Sequence, residues 1–133
     1  MAQTEGLNHL GLTVLDLEKS KNFFVDVLGW KEAGYDPTYP RTMVTDGKLK
    51  LTLWQVDKKL EVETFDRRKN VGLHHVAIQV ATEDKLNELH TIISALDDCV
   101  IEFAPEPLAG GPRKHMMLRE PSGLRIELIW PGE

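Results

Sequence analysis

A chain of 133 residues, 41% hydrophobic and 28% charged, has the material for one globular domain with a real core, and not comfortably for two independent ones. A net charge of −5 argues against a broad nucleic-acid footprint, and no apolar run approaches the roughly 20 residues of a membrane span. Cys99 is the only cysteine, which rules out an intrachain disulfide, and "MAQTEG" lacks a basic segment followed by an apolar one, so a cytoplasmic protein is expected.

The first element is "LNHLGLTV", which starts at Leu7 and reads as a strand. Side chains alternate across a strand, which puts Leu10, Leu12 and Val14 on one face and His9, Gly11 and Thr13 on the other. Asp16 is placed to cap a helix over "LEKSKNFFVDVL" that stops at Gly29, with Leu17, Phe24, Val27 and Leu28 as its apolar stripe. "WKEAGY" is a candidate strand, and "RTMVTDGKLKLTLWQV" reads as two strands around an Asp46-Gly47 turn. The polar segment "DKKLEVETFDRRKN" then runs for 14 residues, long for a tight connection.

After this linker the pattern repeats. Laying residues 7–24 over 73–90, a shift of 66, matches Leu7 with Leu73, His9 with His75 and Val14 with Val80. Thr82 can cap "EDKLNELHTIISAL", whose stripe is Leu86, Leu89, Ile93 and Leu96, and Cys99 falls near the helix end as a small apolar residue. "VIEFAP" is the counterpart of "WKEAGY", and "RKHMMLREPSGLRIELIW" reads as two strands around Pro121-Ser122-Gly123. The expected architecture is α+β: two βαβββ units, about 5–56 and 71–131, within a single domain over 1–133. Together they would form a cup-shaped mixed sheet with its helices on the outer face.

Three strands carry a clean aliphatic face, and their opposite faces carry His9, His75 and Glu127. A lone strand histidine is ordinarily a hydrogen-bonded polar residue. The same placement in both repeats, with a carboxylate on the matching face, favours a metal site instead. Two imidazoles and one carboxylate suit a divalent transition metal with open coordination positions. His74 should point toward the helices as a structural residue, and His90 is an ordinary helix residue. His115, Met117 and Arg119 can share the face of Glu127, and Thr52 and Trp54 share a face with Lys50. Arg41 is expected across the hairpin from Thr52; with Arg119 and Arg125 it would suit a carboxylate or phosphate, although strand-end arginines are equally often only solvated. "LAGGPR" is a candidate cover for the pocket mouth.

"LNHLGLTVLDLEKSKNFFVDVLGW", "LHHVAIQV" and "EPSGLRIELIW" resemble the vicinal oxygen chelate superfamily, over roughly residues 7–131. That group includes glyoxalase I, methylmalonyl-CoA epimerase, fosfomycin-resistance transferases, extradiol dioxygenases and bleomycin-resistance proteins. The resemblance implies one divalent metal (Mn, Fe, Co, Ni or Zn) in the cup, held by His9, His75 and Glu127, and a homodimer whose metal site lies within one chain or between two. The fourth family position falls on Thr52, where glyoxalase I and the epimerase have Glu or Gln. A threonine hydroxyl is a poor base, which speaks against glyoxalase I chemistry. "MLREPSG" has Met117 where the fosfomycin transferases and extradiol dioxygenases commonly place a tyrosine.

Two functions follow as expectations. The first is a metal-dependent enzyme acting on a small, anionic organic substrate. In it Glu127 is a ligand and catalytic group, His115 the acid/base, and Arg41, Thr52, Trp54, Met117 and Arg119 line the substrate. Whether it would be an isomerase or lyase, a transferase or a ring-cleaving dioxygenase stays open. The second is a metal-free protein that sequesters a small molecule, as in the bleomycin-resistance branch. Neither involves nucleic acid or membrane.

Overall fold

Strand β1 (Leu10–Val14) buries Leu12 and Val14 and leaves Gly11 and Thr13 exposed, the alternation expected of a strand with one face on a core. Asp16 then ends the extended run: its Oδ1 accepts from the Lys19 N–H at 3.0 Å and starts α1 (Leu17–Asn22). Gln55 secures the same corner, accepting from the Leu17 N–H at 2.8 Å and donating to the Leu15 carbonyl at 2.7 Å. The helix continues as a π-helical turn over Phe23–Val27.

That wider turn changes which side chains face the core. One extra residue per turn rotates the stripe, so Phe23 joins Phe24 in the interior, while Val27 and Leu28 are only half-buried. Phe23 and Phe24 pack edge to face at 5.4 Å, and Phe24 meets Trp30 at 5.1 Å. Truncating Phe24 to alanine would cost about 3–5 kcal/mol.

The computed structural model describes residues 1–133, which divide into two compact units, Met1–Val62 and Glu63–Glu133. In the first unit the chain goes on through β2 (Lys31–Asp36), β3 (Arg41–Thr45) and β4 (Lys50–Gln55), giving a four-stranded sheet in the order β1-β4-β3-β2. β1 runs parallel to β4 and the other neighbours are antiparallel, so the sheet is mixed. Asp46 closes the β3–β4 turn by accepting from the Lys48 and Leu49 N–H groups, and Gly47 supplies the positive φ of 97°.

The second unit has the same plan: β5 (Val76–Gln79), α2 (Glu83–Ser94), β6 (Val100–Pro107), β7 (Lys114–Arg119) and β8 (Arg125–Trp130). Its sheet order is β5-β8-β7-β6, again with the first strand parallel to the last. Thr82 caps α2 through the Lys85 N–H at 3.0 Å, and Leu86, Leu89 and Ile93 form the buried stripe. The β7–β8 turn is held by Glu120, whose buried carboxylate accepts from the Ser122 and Leu124 N–H groups. Ile78, Met116, Leu118, Ile126 and Leu128 form the core under α2. The opposite face of β7 and β8 is therefore the one left for chemistry.

The chain is thus α+β, two βαβββ units each with a mixed sheet and a helix on its aliphatic face. No helix is long and apolar enough to cross a membrane.

Candidate functional site

Glu127 lies in the middle of β8, with Ala77 as its parallel neighbour on β5 and Met117 opposite it on β7. It is 8% exposed, an uncommon degree of burial for a carboxylate without partners. It has two. His75 Nε2 stands 3.2 Å from Oε1, and His115 Nδ1 stands 2.6 Å from Oε2. One carboxylate therefore carries an imidazole on each oxygen.

Each imidazole is itself oriented. The His115 and Phe103 rings pack edge to face with centroids 4.9 Å apart, and His115 Nε2 is 4.0 Å from Glu106. His75 Nδ1 lies 2.8 Å from His74 Nδ1, which also takes a hydrogen bond from Arg125 Nη1 at 3.1 Å. A guanidinium can only donate, so His74 Nδ1 is an acceptor and the proton in its contact with His75 belongs to His75 Nδ1. In the neutral ring, the lone pair of His75 is then on Nε2, the nitrogen that faces Glu127. Desolvation and, next, the Arg125 charge lower the His74 pKa, which keeps that ring in its accepting form.

Behind this chain, Glu102 fixes Arg125. Arg125 Nε and Nη2 donate to the Glu102 carboxylate at 3.0 Å, a two-pronged contact on side chains only 10% and 18% exposed. Hydrogen bonding to Arg125 holds the Glu102 pKa below the ordinary carboxylate range, against the opposing effect of burial. The connected series is Glu102–Arg125–His74–His75–Glu127–His115.

In the first unit the corresponding face is built differently. Trp54 Nε1 donates to Thr52 Oγ1 at 3.0 Å, Tyr39 meets the Trp54 ring at 5.0 Å, and the Arg41 guanidinium lies 5.6 Å from the ring centroid. A Cβ at Gly11 would come 3.2 Å from Thr52 Oγ1, a tight contact. His9, just before β1, is exposed, with Nδ1 2.7 Å from Asn8 Oδ1.

Several expectations change in detail. Arg41 lies opposite Trp54, not Thr52, and Met43 faces Thr52: the hairpin loop holds two more residues than an Asp46-Gly47 turn alone, which moves the register. His74 does not point toward the helices. It precedes β5, where strand alternation has not begun, and its exposed ring reaches Arg125. "LAGGPR" joins β6 to β7 through a loop closed by the Leu108 N–H and the Arg113 carbonyl. Glu102 and Phe103 went unnoticed in the sequence; the β6 bulges that aim them are not visible as periodicity.

A divalent ion fits part of this arrangement. Ligand atoms bound side by side at about 2.1 Å from one ion are about 3 Å apart, close to the 3.2 Å between His75 Nε2 and Glu127 Oε1. His115 then holds the second carboxylate oxygen, and His74 the second nitrogen of His75, the usual way such ligands are oriented. In neither unit do three His, Cys, Asp or Glu side chains converge on one point.

The family model described as "Glyoxalase/Bleomycin resistance protein/Dioxygenase superfamily" matches residues 6–128. Among solved structures, a glyoxylase/bleomycin resistance protein/dioxygenase domain from Frankia sp. EAN1pec is 23% identical, with a TM-score of 0.81, covering 98% of this chain and 95% of that one. A candidate glyoxalase from Bacillus halodurans is 26% identical, with a TM-score of 0.78 and coverage of 94% and 95%. The fosfomycin resistance protein FosX from Listeria monocytogenes is 20% identical, with a TM-score of 0.72 and coverage of 96% and 94%.

Proposed function

This chain belongs to the glyoxalase/bleomycin resistance protein/dioxygenase superfamily, and from that premise we propose that it is a divalent-metal-dependent enzyme acting on a small organic substrate. The observation that carries the reading is the pair His75 Nε2 and Glu127 Oε1, 3.2 Å apart on one sheet face with their second atoms tied back by His74 and His115. A salt bridge built only for stability gains little from two further imidazoles placed to fix the orientation of its partners.

His75 and Glu127 are the proposed ligands in the second unit. His9, at the matching point of the first unit of the same or a second copy, is the proposed third. When bound, a divalent ion would supply Lewis acidity to a substrate oxygen. His115 keeps Oε1 of Glu127 directed at His75 and is the side chain in reach to give or take a proton, since imidazole is the group that does both near neutral pH. Met117, buried opposite Glu127, gives that position an apolar neighbour. Arg41, Thr52 and Trp54 are proposed to line the substrate from the first unit. Assembly as a homodimer and a cytoplasmic location belong to the same proposal.

A second reading has an observation of its own. Thr52 accepts from Trp54, and Trp54 meets Tyr39 edge to face and lies under the Arg41 guanidinium, an aromatic and cationic surface suited to holding an organic molecule without a metal. A metal-free sequestering protein would use that surface.

Elemental analysis of untagged protein purified without chelator, beside His75→Ala, separates the two. About one transition metal per site, lost in the variant, supports the enzyme. No metal, and none taken up on supplementation, moves the assignment to the sequestering protein.

A further inference from the structure

At the end of the second unit's sheet where β6 and β8 begin lies an open cleft of about 690 Å³. Four arginines line it: Arg67 and Arg68 from the segment before β5, Arg119 from the end of β7, and Arg125 from the start of β8. Two carboxylates, Asp66 and Glu102, are also present, so four positive charges face two negative ones and the cleft carries a surplus of two. In a chain whose net charge is −5, that local reversal of sign is not an effect of composition.

The four arginines do not have the same freedom. Arg125 is committed to Glu102 and His74 and is only 10% exposed. Arg119 touches Glu102 through Nε alone, at 3.5 Å, and is 48% exposed. Arg67 and Arg68 sit on a turn that closes on itself: Asp66 Oδ1 accepts from the Arg68 N–H at 2.9 Å, and the Asp66 carbonyl accepts from the Asn70 N–H at 2.8 Å. No hydrogen bond or ion pair engages the guanidinium of Arg67 or Arg68 in this turn. Arg125 is two residues from Glu127 along one face of β8, about 7 Å at the rise of a strand.

We infer that this cleft binds the dianionic phosphate group of a small organic ligand through Arg67, Arg68 and Arg119, over a floor fixed by the Arg125–Glu102 pair. The inference rests on the proposed function only for where the rest of the ligand goes, toward His75 and Glu127. A dianion matches the surplus of two charges, whereas a single carboxylate leaves one uncompensated. Guanidinium groups arriving from a loop and a strand suit an anion that accepts hydrogen bonds in several directions. A cleft of this volume also falls within the range of small-molecule sites.

Calorimetric titration of the full chain with methyl phosphate, at low ionic strength and about pH 8 where the ester is dianionic, tests this. Binding should weaken by about tenfold or more in Arg67→Ala/Arg68→Ala and in Arg119→Ala. Acetate should bind at least about tenfold more weakly than methyl phosphate to the parent. The parent, dialysed against a chelator and then freed of it, should bind methyl phosphate as before, whatever metal it has lost. Equal binding by the parent and the arginine variants, no binding by the parent, or acetate binding as tight as methyl phosphate would each overturn the inference. Those outcomes leave the metal reading untouched, and failure of metal uptake with phosphate binding retained would sink only the metal reading.

Discussion

Thr52 and Glu127 occupy the same place in their two units. Thr52 lies beside Gly11 on the parallel strand and opposite Met43 on the antiparallel one; Glu127 lies beside Ala77 and opposite Met117. The neighbouring pairs match as well, with Arg41 opposite Trp54 where His115 is opposite Ile129. One repeated backbone thus holds a carboxylate with two imidazoles in one copy and a hydroxyl with an indole in the other. The charge-bearing chemistry is concentrated in the second unit.

Thr52→Val isolates the first unit's role. Valine keeps the shape and removes the acceptor of the Trp54 indole N–H, a part-buried bond of 3.0 Å. The unfolding midpoint should fall by an amount worth about 1 kcal/mol, and Trp54 fluorescence should change. Metal content should not. A variant that lost its metal would place Thr52 among the ligands instead.

His115→Gln probes the other oxygen of Glu127. Without the 2.6 Å contact the carboxylate is free to turn away from His75. Metal affinity, measured by competition with a chelating dye, should drop about 10- to 100-fold with the fold retained by circular dichroism. Unchanged affinity would show that His115 does not position the carboxylate.

Strand alternation was enough to place Glu127, His115, Met117 and Arg119 on one face, because period two survives wherever a strand is regular. The caps Asp16 and Thr82 were equally legible, since a side-chain acceptor before an apolar stripe has few other uses. What failed to read out lay where regularity breaks. The π-helical turn at Phe23–Val27 moved a buried stripe, the loop beyond Asp46-Gly47 moved Arg41 to Trp54, and the bulges of β6 aimed Glu102 and Phe103. The arginine cleft was hidden for a related reason. Half of its guanidiniums come from "DRRKN", which in sequence is only a charged linker.

Cys99 should be a poor target for alkylation. Burial first, and the adjacent Asp98 carboxylate next, push its thiol up to about 12 from an ordinary 9.0. The thiolate is the nucleophile, so reaction with iodoacetamide at neutral pH should be on the order of a hundred- to a thousandfold slower than with glutathione. Mass spectrometry over time gives the ratio. Comparable rates would mean the thiol is open to solvent and unperturbed.

Glu102→Gln should destabilise the protein at neutral pH and matter less in acid. Its carboxyl pKa is lowered in the folded state, chiefly by the hydrogen bonds from Arg125. A group depressed on folding contributes stability that is fully present above its unfolded pKa and is lost as pH falls through the folded value. Glutamine keeps an acceptor for Arg125 but not the charge. The gap in unfolding midpoint between parent and variant should therefore be widest at about pH 7 and narrow progressively toward about pH 3. The same substitution releases Arg119 and Arg125 from their internal carboxylate, so methyl phosphate should bind the variant more tightly than the parent. A midpoint gap that stays constant across this range would mean that the Arg125 pair does not act through the Glu102 charge.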